Sequence, residues 1–340
     1  MEMDLHPDMK NFGVPIRTVE SHAGGMAARV IVSGIPELSG SSMREKMEYF
    51  RDNYDHIRTA VAGEPRGHDS IVAAVLTRPC RPEADYGLFF IQQPGYLDMC
   101  GHGTIATSTV LVNCGLVDVR EPITEITYDT PAGIVHAKVS IVNSRAESVT
   151  FTNVPAYVYK KDLTTHFAGR DIRYDAVYGG DCYAMIDVKQ LDMTIKPDTV
   201  NDLMKIQLEF LPQIRKEIEA MGTETCDPFI EGIEFYDDSP TKGCDARNVV
   251  LNGKLIDRSP CGTGTCAKLA LLYSEGKLEK GQEYVNESFI GTTFTGVITD
   301  VIVDNGRNAV IPQVTGKGFV TGESRFYTDP DDELGPGFIL

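Results

Sequence analysis

The chain is 340 residues long, 42% hydrophobic and 24% charged, the composition of a globular sequence. At roughly 150 residues per domain it holds about two domains or one duplicated unit. Lys and Arg number 32 against 49 Asp and Glu, a net charge of −17, which excludes the cationic face of a nucleic-acid binder and argues against docking on an anionic membrane.

In chain order, Arg29 to Val32 is a β-rich run, Ser42 to Asn53 reads as a helix, and Ile71 to Thr77 and Gly87 to Ile91 are further strands. Cys100-Gly-His-Gly-Thr104 then opens helix-compatible residues from Ile105 to Asn113, and Gly115 stops them. Thr130 to Val139 is a strand entered through Gly133, and Val149 to Val154 is another. In the second half, Asp175 to Val177, Ala184 to Asp187, Gly232 to Tyr236 and Asn248 to Leu251 are strand-like. Between them, Leu203, Ile206, Phe210, Ile214 and Ile218 mark an amphipathic helix from Val200 to Ala220, with Pro212 placed to kink or break it. Cys261-Gly-Thr-Gly-Thr265 opens the helix-compatible run Cys266 to Glu275, and Gly276 stops it. Thr293 to Ile302 is a strand, and the chain closes with an acidic run at Asp329 to Glu333.

The two Cys-Gly-x-Gly-Thr turns lie 161 residues apart, and so do their glycine stops, Gly115 and Gly276. Two copies of one α+β unit explain this. The expected boundary falls near residue 155: residues 1–155 form the first unit, residues 156–321 the second, and the tail 322–340 returns to the first. No run reaches the roughly 18 uncharged apolar residues that span a bilayer. The start, Met1 to Lys10, has no apolar signal core. A cytoplasmic protein with reduced thiols is therefore expected. The eight cysteines show no CxxC pair, so neither a metal site nor a disulfide framework is expected.

A Cys-Gly-x-Gly-Thr turn at a helix start aims several free N–H groups together, which makes a cradle for a carboxylate or phosphate. A cysteine at its mouth feels the positive helix end, which lowers a thiol pKa. Pseudo-symmetry brings Cys100 and Cys261, with both cradles, to one interdomain cleft. Two thiols facing one ligand suit inversion of a stereocentre, one acting as base and the other as acid, while N–H groups stabilise the enolate-like charge. No Gly-rich nucleotide signature is present: Gly101-His-Gly103-Thr-Ile-Ala106 lacks the final glycine and its context.

Gly95-Tyr-Leu-Asp-Met-Cys-Gly-His-Gly-Thr104 and Asp257-Arg-Ser-Pro-Cys-Gly-Thr-Gly-Thr265 resemble the two signatures of the proline racemase family. Glu64-Pro-Arg-Gly-His68, Thr130-Pro-Ala-Gly133, Asn153-Val-Pro155, Tyr178-Gly-Gly180 and Gly337-Phe-Ile-Leu340 extend the resemblance over nearly the whole chain. It implies a diaminopimelate-epimerase-like α+β fold: two pseudo-symmetric domains, each a central helix wrapped by β-sheet, with the active site between them. It also implies no cofactor, a homodimer, and Cα proton exchange on proline or 4-hydroxyproline as the small-molecule substrate.

Carried over by position, Cys100 and Cys261 are the acid/base pair. Gly101, His102, Gly262 and Thr263 hold the substrate carboxylate and flank the thiols, and Asp257 lies near the ring nitrogen. His102 is read as a hydrogen-bonding group, since the cysteines already supply acid and base, and His22 and His68 as structural.

The departures bear on substrate. Val72 and, allowing a one-residue gap, Asn252 stand where racemases place aromatic side chains. Asn252 offers a partner to a ring hydroxyl. Met26 replaces a frequent glutamate, and Cys266 a usual serine with no functional account. Dehydratases of trans-3-hydroxyproline carry threonine at the second cysteine, so Cys261 disfavours that alternative. A non-catalytic imino-acid-binding paralogue is the remaining one, and its expected mark, loss of a catalytic cysteine, is missing.

Overall fold

The computed structural model of the chain describes residues 15–222 and 228–339. The expectations for residues 1–14, for Cys226 and for Leu340 lie outside the described residues. The first half runs β1 (Ile16–Ala23), β2 (Met26–Ser33), α1 (Met43–Ala62), β3 (Ile71–Thr77), β4 (Tyr86–Gln92) and β5 (Gly95–Leu97), then α2 (Gly101–Asn113), β6 (Ile123–Thr130), β7 (Gly133–Val142) and β8 (Arg145–Thr152). The second half repeats the order: β9 (Tyr157–Phe167), β10 (Arg170–Tyr178), β11 (Cys182–Asp187), α3 (Val200–Ala220), β12 (Ile230–Asp237), β13 (Ala246–Asn252) and β14 (Leu255–Ile256), then α4 (Gly262–Ser274), β15 (Glu283–Ser288), β16 (Thr293–Asp304) and β17 (Arg307–Gly316). A last strand, β18 (Gly318–Phe326), follows.

Strand pairing makes the duplication explicit. β1 pairs with β2, β2 with β3, β3 with β4, β4 with β6, and β6 with β7, which pairs with β8. The second half repeats this from β10 through β11, β12, β13, β15 and β16 to β17. In both halves the same two pairings are parallel, β2–β3 and β4–β6 in one, β11–β12 and β13–β15 in the other. β9 adds to β10 at one end, and the equivalent place beside β1 is taken by β18, the last strand of the chain. The fold is α+β and diaminopimelate-epimerase-like, as the sequence leads one to expect.

The halves meet where β8 pairs antiparallel with β17, Phe151 opposite Val314, with Thr150 and Thr315 hydroxyls 2.7 Å apart. α2 and α4 lie inside, and α2 is buried from Gly101 to Val112. Such helices are apolar all round because sheet wraps every face. Their core side chains, among them Ile105, Val110, Leu269 and Leu271, are each worth ~1.5–3 kcal/mol of burial. Both end alike: Leu116 N–H bonds Leu111 O at 2.8 Å and Lys277 N–H bonds Leu272 O at 2.9 Å, with Gly115 and Gly276 at φ +66° and +67°.

α1 and α3 cover the outer faces. The expected helix from Ser42 to Asn53 proves to be the first half of α1: Tyr54, at φ −134°, kinks it, and a second segment continues to Ala62. α3 stays continuous across Pro212. No described helix is long and apolar enough to cross a membrane.

Candidate active site

The N-caps of α2 and α4 are Cys100 and Cys261. The two helix starts abut so closely that a Cβ on Gly101 would stand 2.5 Å from Gly262 Cα, and the reverse holds. Only glycine fits at either position. One cavity between the halves is lined by Cys100, Gly101, His102, Asp257, Cys261, Gly262 and Thr263, with Val72, Asn252 and Met26 in its wall. Every site residue named from the sequence thus borders one space. His22 and His68 do not; their Nδ1 atoms accept from Gly25 N–H at 3.3 Å and Ser70 N–H at 3.2 Å. Cys266 is buried in the α4 core away from the cavity, its thiol pushed up to about 12 by burial.

Each thiol has its own partners. Cys100 Sγ lies 3.3 Å from His102 Nδ1, and Cys261 Sγ accepts from Gly264 N–H at 3.2 Å. Thr263 Oγ1, 3.6 Å from Cys261 Sγ, is 2.8 Å from the Tyr183 hydroxyl. Asp257 accepts from Ser259 N–H at 2.8 Å and Ser259 Oγ at 2.7 Å, and that hydroxyl in turn accepts from Cys261 N–H at 3.1 Å. Asp257 therefore braces the turn that presents Cys261 as well as facing the cavity.

Burial pushes both thiols well above their ordinary pKa. The Gly103 and Gly264 N–H groups oppose the rise, while Asp257 adds to it at both sulfurs. This corrects the expectation of thiols acidified by the helix ends: desolvation outweighs the helix termini. Burial likewise lowers the His102 pKa, so its imidazole is neutral near pH 7.

Sequence reasoning missed four polar cavity residues, Gln92, Asp181, Tyr183 and Glu231, and the apolar Leu97, Val250 and Leu255. A signal for two of them was available, since Asp181 directly follows Tyr178-Gly-Gly180. A Cβ on Gly179 would stand 2.3 Å from Thr263 O, so this glycine lets the β10–β11 turn rest on the start of α4. Asp181 and Tyr183 are thereby carried to Cys261. Glu231 accepts from Asn252 Nδ2 at 2.8 Å. Enclosure raises the pKa of Asp181 and Glu231; Glu231 and Asp98 add to the rise at Asp181, while at Glu231 Arg215 opposes it and Asp98 adds to it.

No lysine or arginine lines the cavity among the described residues. An anion there is left with the N–H groups of α2 and α4, and a cation with the Asp257 carboxylate. That is a receptor for a small zwitterion. No group of three or more His, Cys, Asp or Glu among the described residues is arranged to hold a metal ion.

The family described as Proline racemase matches residues 18–339. The chain belongs to the proline racemase family. A proline racemase from Clostridioides difficile is 39% identical over 332 residues, 97% of this chain and 99% of that protein. A trans-3-hydroxy-L-proline dehydratase from Bacillus cereus is 36% identical over 331 residues, 95% of this chain and 97% of that protein. Among solved structures, a hydroxyproline epimerase from Agrobacterium vitis with bound trans-4-hydroxy-L-proline superposes with a TM-score of 0.90 at 29% identity, over 97% of this chain and 96% of that one. Relatives in this family thus carry more than one activity, and the choice among them rests on the site itself.

Proposed function

We propose that this member of the proline racemase family inverts Cα of a proline-type imino acid by two-thiol acid/base chemistry without a cofactor, with 4-hydroxyproline favoured over proline. The observation that carries the reading is the pair of cysteines, each capping one of two symmetry-related helices, on a single cavity. The substrate carboxylate lies against the N–H groups of both helix starts, and its ring nitrogen faces Asp257. One thiolate removes the Cα proton; the C–H electron pair passes into the carboxylate as an enolate-like charge that those N–H groups hold. The opposite thiol then delivers its proton to the other face. The two sulfurs end with their protonation states exchanged, ready for the reverse reaction. Retention of cysteine at position 261 supports inversion over dehydration.

Substrate preference follows from the wall around Asn252. Where a racemase packs an aromatic ring, this cavity offers the Asn252–Glu231 hydrogen-bonded pair and the small Val72. That wall leaves room and a polar partner for a ring hydroxyl. The test is a panel of L-proline, D-proline, trans-4-hydroxy-L-proline and trans-3-hydroxy-L-proline in heavy water, followed by chiral chromatography. Expected are deuterium at Cα and a higher kcat/KM on trans-4-hydroxy-L-proline than on L-proline. Water loss from the 3-hydroxy isomer alone would make the protein a dehydratase, and no deuterium uptake from any compound would make it a binder. The homodimeric assembly is part of the same reading and is checked by analytical ultracentrifugation.

The raised thiol pKa values give a pH dependence with a definite sign. Activity of the free enzyme needs one thiolate, and burial makes the thiolate scarce at neutral pH. The value of kcat/KM should therefore climb as pH rises from about 7 toward the alkaline range, and alkylation by iodoacetamide should accelerate in parallel. A profile already flat at about pH 6 to 7 would mean that the thiols are acidified after all.

A further inference from the structure

The two helix starts differ at their caps, Cys100 at φ −145° and Cys261 at φ +59°, and also in what lies beneath them. Under α2, Gly103 packs on an aromatic ring: a Cβ there would stand 2.5 Å from Phe90 Cε1. Under α4, the equivalent Gly264 rests on a carboxyl group: a Cβ there would stand 2.5 Å from Glu234 Oε2. Ala74 opposite Phe90 on β3–β4 in the first half corresponds to Glu234 opposite Val250 on β12–β13 in the second.

Glu234 is fully buried. Its Oε1 accepts from Asn248 Nδ2 at 2.9 Å, and the same nitrogen donates to Pro260 O at 2.8 Å, the carbonyl just before Cys261. Its Oε2 has no hydrogen-bond partner among the described residues and points at the glycine whose N–H holds Cys261 Sγ. Lys268, one turn along α4, is also buried and lies over the Tyr236 ring at 3.1 Å. A carboxyl buried this way costs stability unless something retains it. The mechanism above makes no use of it.

We propose that Glu234 is a positioning residue that makes the two thiols inequivalent, keeping Cys261 protonated in the resting enzyme and leaving Cys100 to supply the first thiolate. The inference rests on the two-thiol reading of Cys261. Around Cys261 stand Asp257 from the turn after β14, Thr263 on α4, Tyr183 on β11 and Glu234 on β12. Around Cys100 stand His102 on α2, Asp257 and Asp181. Asp257 faces both sulfurs and does not distinguish them. Asp181, crowded by Glu231 and Asp98, is held toward its neutral form and brings little charge to Cys100. Burial pushes Glu234 up to about 7, while the Asn248 hydrogen bond and the buried Lys268 favour its charged form, and of the two sulfurs it acts on Cys261 and not on Cys100. A like charge beside a thiol disfavours the thiolate, so the asymmetry in the floor becomes an asymmetry in reactivity.

The test is limited alkylation of the full-length protein with iodoacetamide, followed by peptide mass spectrometry that reads modification at Cys100 and Cys261 separately. In the wild-type protein Cys100 should react first. In Glu234→Gln the rate at Cys261 should rise about tenfold relative to Cys100, the equivalent of one pKa unit. Lys268→Met, which removes the cation that favours the charged carboxyl, should act in the same direction, speeding Cys261 by a smaller factor. A folded Glu234→Gln protein with an unchanged ratio overturns the inference, as does a wild-type protein in which Cys261 reacts first. Should Glu234→Gln fail to fold, Lys268→Met decides, and Cys261 labelling that is unchanged or slower there is fatal to the proposal. Activity of Cys261→Ser is measured alongside. An inactive Cys261→Ser together with an unchanged labelling ratio in Glu234→Gln rejects only the role of Glu234, whereas an active Cys261→Ser rejects the two-thiol reading itself.

Discussion

Cys100→Ser and Cys261→Ser should each lose racemisation on the order of 10³-fold or more, the scale at which a positioned acid or base contributes. Both side chains are buried at helix N-caps and serine is nearly isosteric, so the folded structure should survive. A hydroxyl is a far poorer base than a thiolate near neutral pH, and inversion needs one group on each face of Cα. The losses should therefore be similar in the single variants and hardly greater in the double variant, because the two groups act as a unit. A β-leaving group changes the outcome: elimination needs a base on one face only, so one single variant should retain it where inversion is gone. The measurement is loss of optical rotation beside deuterium wash-in at Cα. A single variant racemising at near wild-type rate would end the two-base account.

Gly101→Ala and Gly262→Ala should be nearly as damaging, although neither side chain would take part in chemistry. Each new methyl would stand 2.5 Å from the opposing glycine's Cα, and the Phe151 ring closes the remaining side within 3.2 Å. Overpacking against movable side chains costs typically ~1–3 kcal/mol, and here the obstacle is backbone on both sides. The two helix starts would have to part. That separates the N–H groups meant to converge on one carboxylate, and a misplacement of about 1 Å costs on the order of 10² in rate. We expect a lowered thermal midpoint together with a kcat/KM loss larger than the fraction unfolded explains. Alanine variants with wild-type melting and turnover would show that the contact between the helix starts is unimportant.

Much of this site is legible in the sequence because it is built from local signals. The terminating Gly115 and Gly276 are required by backbone geometry within a dozen residues, and the two Cys-Gly-x-Gly-Thr turns are marked by their repetition. Ile71 to Thr77 reads as a strand to its ends, since it is a short apolar run between turn residues. Elsewhere local signals give out. Tyr54 breaks the phase of α1, so the periodicity from Met43 does not carry across to Ala62. The alternating polar strands β9 and β18 look like loops until they have a neighbour to pair with. Glu231 and Glu234 are single acids with no pattern around them. Their significance comes from which wall they join, and that is a tertiary fact. The thiol pKa values were misread for the same reason: a helix start can be seen in the sequence, but the depth at which it is buried cannot.

The place of β18 beside β1 has a consequence for the order in which the molecule comes into being. Its partners are separated by nearly the whole chain, Ile16 facing Phe326 and Ala23 facing Gly318. A protein made from the N-terminus completes its second half first, because every strand from β9 to β17 is available before β18 is. The half that carries Cys100 has all but one strand early and waits for the last to close it. Closing so long a loop is slow, and until it happens β1 offers an open edge. The older half in sequence is thus the younger in structure.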